Sequence, residues 1–149
     1  MENKYYTPSI KEFHVGFEYE QEDINEGGSS LSWYKYTIKE GEAYIIDQLI
    51  TNEDLGLSYR VKYLDREDIE SLGFTDYKHS VMDWWSKKGY FDSVGGRYRF
   101  DEYKLRYNLK DQELHIEAFF GGSSEGMLFE GIIKNKSELK VLLKQLNIK

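Results

Sequence analysis

Tyr103-Lys104-Leu105-Arg106-Tyr107-Asn108-Leu109-Lys110-Asp111-Gln112-Glu113-Leu114-His115-Ile116-Glu117-Ala118-Phe119-Phe120 is the stretch that decides the fold. Tyr103, Leu105, Tyr107 and Leu109 alternate with Lys104, Arg106 and Asn108, the period of two that marks a half-buried strand. Lys110-Asp111-Gln112 supplies turn chemistry, and Leu114, Ile116, Ala118 and Phe120 place a second apolar row on one face. The segment predicts a β-hairpin whose oily side needs a cover.

The cover lies downstream. A glycine-serine loop, Gly121 to Gly126, leads into a short strand from Met127 to Ile133. Leu139, Leu142, Leu143 and Leu146 then fall at i, i+3, i+4 and i+7, so a helix from about Asn135 to Asn147 carries one apolar stripe. Lys140, Lys144 and Gln145 remain for solvent. Asn135 followed by Glu138 has the form of a capping box, with Ser137 as the rival cap.

Upstream, Phe13, Val15, Phe17 and Tyr19 alternate with polar or small residues and predict a strand over Phe13 to Glu20. Thr7 with Pro8 allows one helical turn before it. Gly27 to Ser30 connects to a second strand, Leu31 to Ile38. Ala43 to Ile50 is apolar without a deciding period, Asn52 to Ser58 is a loop, and Tyr59 to Leu64 is a strand. Asp65 is placed to cap a short helix through Leu72, and Gly73 to stop it. Phe74 to Gly96 shows no legible period. The pattern as a whole predicts an α+β fold over 1–149 as a single domain. Its antiparallel sheet has about five to seven strands, covered by the C-terminal amphipathic helix and one or two short helices.

Bulk properties narrow the function. With 20 basic against 27 acidic residues the net charge is −7, a field that repels phosphate backbones, so duplex nucleic acid is not an expected partner. The local basic run Arg97, Arg99, Lys104 and Arg106 is interrupted by Asp101 and Glu102 and reads as a solvated strand face. Apolar residues at 40% and aromatics at 16% suffice for a self-standing core. The absence of cysteine removes disulfides, thiolate catalysis and cysteine-ligated zinc. No leader pattern and no apolar run of membrane-spanning length occurs, so a cytoplasmic protein without a membrane partner is expected.

No constellation for catalysis stands out, and no cofactor is expected. His14 and Glu18 are about 13 Å apart along an extended strand, too far to share an ion. His115 and Glu117, at roughly 6.6 Å, would need a third ligand from a neighbouring strand. The expectation is therefore no metal site and no enzyme, with a hydrolase using Glu18, Glu20, His115 or Glu117 as a minor alternative. The glycine-serine loop lacks the Gly-Lys-Ser of a phosphate cradle, and no Gly-x-Ser-x-Gly elbow occurs. A binding surface is the better expectation, built on Trp84, Trp85, Tyr90 and Phe91 with Arg97 and Arg99 nearby. A protein partner or a second copy of the chain fits such a surface. A nucleotide trapped in a homo-oligomer, between aromatic rings and arginines, is the second reading.

Three segments, Lys4 to Glu20, Arg60 to Phe74 and Leu128 to Ile148, carry the motifs Tyr5-Tyr-Thr-Pro-Ser-Ile-Lys-Glu-Phe-His-Val-Gly-Phe-Glu-Tyr-Glu20, Arg60-Val-Lys-Tyr-Leu-Asp-Arg-Glu-Asp-Ile-Glu-Ser-Leu-Gly-Phe74 and Ile133-Lys-Asn-Lys-Ser-Glu-Leu-Lys-Val-Leu-Leu-Lys-Gln-Leu146. Together they resemble a family of small uncharacterised proteins encoded by bacteriophages and prophages of gut bacteria. The resemblance implies an accessory protein acting in the cytoplasm of an infected or lysogenic host, by binding a host or viral protein or by sequestering a signalling nucleotide in an anti-defence role. It assigns no role to an individual residue.

Overall fold

Among the described residues, two antiparallel sheets with a C-terminal helix and a short α-helix between the sheets in sequence give an α+β architecture. The computed structural model describes residues 4–24, 31–42, 44–45, 58–76, 84–91, 99–120 and 123–149. The chain divides into two compact units, Met1–Tyr63 and Leu64–Lys149, each with its own sheet.

The first unit holds β1 (Tyr5–Tyr6), β2 (Glu18–Ile24), β3 (Leu31–Thr37) and β4 (Tyr59–Lys62), in the spatial order β1-β4-β2-β3. β2 and β3 form a hairpin in continuous register from Glu18 opposite Thr37 to Ile24 opposite Leu31. The strand expected from Phe13 begins only at Glu18, because Gly16 adopts φ +87° and turns the chain. The Gly16 amide donates to the Ile38 carbonyl and the Phe17 amide to that of His14. Phe13 and Phe17 are still buried, with ring centroids 4.9 Å apart, whereas Val15 is turned out to solvent. With Tyr19, Ile38 and Val61 they make the core of this unit.

The helical turn expected near Thr7 is a 3₁₀ turn at Ile10–Glu12. It is closed from Ser9, whose amide donates to the Glu12 carboxylate while the Glu12 amide donates to the Ser9 carbonyl. Of the undecided stretch Ala43 to Ile50, Tyr44 and Ile45 are helical and the others lie outside the described residues. So do the Gly27–Ser30 connection and most of the Asn52 to Ser58 loop.

The second unit is a meander. α1 (Arg66–Ser71) is followed by β5 (Thr75–Asp76), β6 (Trp84–Phe91), β7 (Arg99–Asn108), β8 (Glu113–Phe120) and β9 (Ser123–Ile132), neighbours in sequence being neighbours in the sheet. α2 (Lys136–Gln145) closes the unit. Trp85, Tyr103, Leu105, Tyr107, Leu114, Ile116 and Ala118 line the inner face of the sheet, and Ile69 of α1 with Leu139, Leu142 and Leu143 of α2 pack on it. Burying three leucines contributes about 2 kcal/mol each, enough to hold a ten-residue helix that would be marginal alone.

Both helices start as their sequences dictate. The Asp65 carboxylate accepts from the Asp68 amide at 3.0 Å, and the Asn135 side chain accepts from the Glu138 amide at 3.0 Å. The reciprocal arm of the second box reaches one residue further back, where Glu138 accepts from the Lys134 amide. Two expectations shift. Leu109 lies in the hairpin turn, 48% exposed, because the Gln112 amide donates to the Asn108 carbonyl with Gln112 at φ 59°. The glycine-serine loop is largely strand, since β9 already begins at Ser123 and pairs with Phe120.

Candidate functional site

Strand alternation sends neighbouring residues of β6 to opposite faces. Trp85 points inward and is 1% exposed. Trp84 points to the outer face, away from the two helices, and is half-buried. Register then builds a row across four strands: Trp84 opposes Arg106, Arg106 opposes His115, and His115 opposes Glu130. The Arg106 guanidinium lies 5.6 Å from the centre of a Trp84 ring. Beside this row, Ser86 opposes Lys104, Lys104 opposes Glu117, and the Lys104 amine sits 4.0 Å over the Phe119 ring.

β9 bounds this face as an edge strand. Two bulges interrupt its pairing with β8, leaving Leu128 and Glu125 as extra residues between paired positions. Such bulges twist an edge away from indiscriminate strand pairing. The edge is nevertheless apolar: Met127 is 48%, Leu128 40% and Ile132 65% exposed.

At the β8–β9 boundary, Glu113, His115 and Glu130 bring one donor atom each to within 4.8 Å of one another. His115 Nε2 is 3.6 Å from Glu113 Oε2, and Nδ1 is 4.0 Å from Glu130 Oε1, both beyond hydrogen-bond range. His115 is 9% exposed, and its Nδ1 is buried without a hydrogen-bond partner. The carboxylate that shares this histidine is thus Glu113 rather than Glu117, joined by a residue from the adjacent strand.

The other carboxylates considered from the sequence are ion-paired. Glu18 contacts Lys35 at 2.9 Å, and Glu20 accepts from Arg60 Nε at 2.6 Å. Arg60 is further held between the Tyr5 and Trp33 rings, 4.0 Å from each centre. His14 lies in the turn before β2, with Nδ1 2.8 Å from the Val15 carbonyl oxygen, so it shares no strand with Glu18 and Glu20.

Of the aromatic and basic residues expected to form one binding surface, Trp84 lies on the outer face and Trp85 belongs to the core. Trp85 therefore does not share a surface with Trp84, because adjacent residues of a strand point to opposite faces. Tyr90 and Phe91 sit at the far end of β6, opposite Phe100 and Arg99, which open β7. Arg97 lies outside the described residues. Sequence reasoning missed Arg106, Glu130 and the exposed edge. Only strand register places them in one row, although the polar alternation of β7 and β8 already put Arg106 and His115 on outward faces.

A separate cavity of about 300 Å³ opens between the end of α2, the end of α1 and β6, with Leu72, Leu143 and Ile148 as floor and Lys87, Lys140, Lys144 and Lys149 around it. The Lys87 amine donates to the Leu72 carbonyl at 2.6 Å and faces the Phe74 ring, and its burial lowers the pKa below the usual lysine value. No described helix is long and apolar enough to cross a membrane.

Comparison with known proteins gives no match to a family, to a curated protein or to a solved structure.

Proposed function

We propose that the chain is a phage-encoded, non-catalytic accessory protein of the host cytoplasm that binds a protein partner, host or viral, through the outer face of its second sheet at the β9 edge. The observation that carries this reading is the exposure of three large apolar side chains, Met127, Leu128 and Ile132, on one edge strand. Large apolar groups gathered at a polar-rimmed edge are the composition of a protein-docking surface, and the neighbouring Trp84 and Arg106 are the residue types that anchor interfaces. The phage origin rests on the resemblance of the three sequence segments.

With the chain as bait in host cells, one discrete protein co-purifies, a second copy of the chain counting as such. The double variant M127K/I132K loses that protein while keeping the circular dichroism of the parent. Undiminished capture by the variant contradicts the assignment.

The lysine-rimmed cavity favours a second reading, a small anionic ligand such as a nucleotide, in place of the pairing with Arg97 and Arg99. Nucleotides that bind there raise the unfolding temperature by mass action, and Lys87→Met removes the rise. A rise that survives Lys87→Met places the ligand elsewhere.

A further inference from the structure

We infer that Glu113, His115 and Glu130 form a binding site for a divalent transition-metal ion. Three observations converge. Register puts Glu130 directly across from His115, and Glu113 precedes His115 by two residues on the same strand, so all three side chains leave one face of the β8–β9 pair. Their donor atoms already lie within 4.8 Å of one another. The imidazole between the carboxylates is nine-tenths buried, and its Nδ1 has no hydrogen-bond partner.

That last point separates this cluster from an ordinary ion pair. A buried imidazole has two ring nitrogens, and in protein interiors both normally find hydrogen-bond partners. Here Glu130 Oε1 stands 4.0 Å from Nδ1 and Glu113 Oε2 stands 3.6 Å from Nε2, so neither carboxylate hydrogen-bonds the ring.

The geometry closes with small movements. Donors held at about 2.1 Å from a tetrahedral ion are about 3.4 Å apart, so the widest separation must shrink by roughly 1.4 Å. The side chains of Glu113 and Glu130 are 47% and 59% exposed, and exposed glutamates make such a change by rotation about their own bonds, while the buried imidazole stays fixed.

The donor set selects the ion. One imidazole with two carboxylates suits zinc and its first-row neighbours, whereas magnesium and calcium take all-oxygen shells. Two carboxylates neutralise the dication, and the net charge of −7 draws cations to the surface. Three protein donors leave a fourth position for water.

The experiment titrates zinc into the full chain after dialysis against a chelator and follows it by calorimetry and native mass spectrometry. One ion binds per chain. Glu130→Gln and His115→Gln each weaken binding by about tenfold or more, since even outer-shell losses cost that much. Glu117→Gln, on the same face and outside the cluster, leaves binding unchanged. Glu130 is exposed, so its variant reports on the site even if His115→Gln unfolds. Failure of the parent chain to bind zinc overturns the proposal, as does undiminished affinity in Glu130→Gln. Zinc binding is read on the purified chain alone, with no partner present, so its outcome is independent of partner capture by the docking surface.

Discussion

The two units meet the same problem, a sheet with charged groups on its surface, and answer it differently. In the first, Glu20 is locked to an arginine that two aromatic rings also hold, and Glu18 is matched by Lys35 across the hairpin. In the second, two glutamates converge on a buried histidine that neither hydrogen-bonds, beside an edge strand that leaves three apolar side chains in solvent. Satisfied charges are part of the architecture of the first sheet. The second sheet carries groups that stability alone does not explain, and such groups concentrate where proteins bind something.

The cores differ as well, and the largest expected effects come from them. Phe17 is fully buried in a core built chiefly of rings, and Leu139 is fully buried in an aliphatic core under α2. Phe17→Ala and Leu139→Ala each cost about 3 to 5 kcal/mol. In urea titrations followed by amide hydrogen exchange, Phe17→Ala removes protection from β2 and β4, and Leu139→Ala from β7 and β8. A loss under 1 kcal/mol, about the cost of an ordinary surface change, breaks the description of either core.

Next in size is the cap of α2. Asn135 is buried, and its side chain receives the Glu138 amide, so Asn135→Ala costs about 1 to 2 kcal/mol, whereas Lys140→Ala on the exposed side of the helix costs far less. Thermal unfolding of the two variants makes the comparison. In the first unit, Arg60→Lys keeps the charge and loses the flat guanidinium between two rings, at a cost of about 1 kcal/mol. A neutral result there would reduce the sandwich to a passive contact.

The smallest effect at neutral pH, and the sharpest in its dependence, belongs to Tyr19. Burial first, then the neighbouring Tyr59, Tyr36 and Glu42, push its phenol up to about 12 from an ordinary 10.0. The folded state therefore holds the proton more tightly than the unfolded chain. That contribution to stability is whole below about pH 10 and is lost as pH rises toward about 12. Tyr19→Phe flattens the alkaline decline of the urea midpoint, and an unchanged slope would show that Tyr19 does not govern it.

Sequence made the second unit far more legible than the first. The alternation from Tyr103 to Phe120 and the leucine stripe of α2 are long, single-period signals, and hairpin, helix and cap appear where they predict. The Phe13 to Tyr19 alternation misled because a glycine turn interrupts it at Gly16, while packing still buries Phe13 and Phe17. β6 was unreadable because it pairs an inward Trp85 with an inward Lys87, whose amine is satisfied by a helix-end carbonyl. Of the candidate site, Trp84 was visible in the sequence as half of an adjacent pair. Glu130 was not, because its partnership with His115 depends on the register between β8 and β9, and two bulges in β9 set that register.

The central claim is that the β9 edge is where this protein meets its partner, and a photo-reactive amino acid placed at that edge tests it most directly. A benzophenone side chain substituted for Ile132, with Val141 on the exposed side of α2 as the control position, is activated by light in cells producing the chain. One discrete cross-linked species is expected from position 132, lost when Met127→Lys is added, and none from position 141. Equal cross-linking from both positions, or none from position 132, contradicts it.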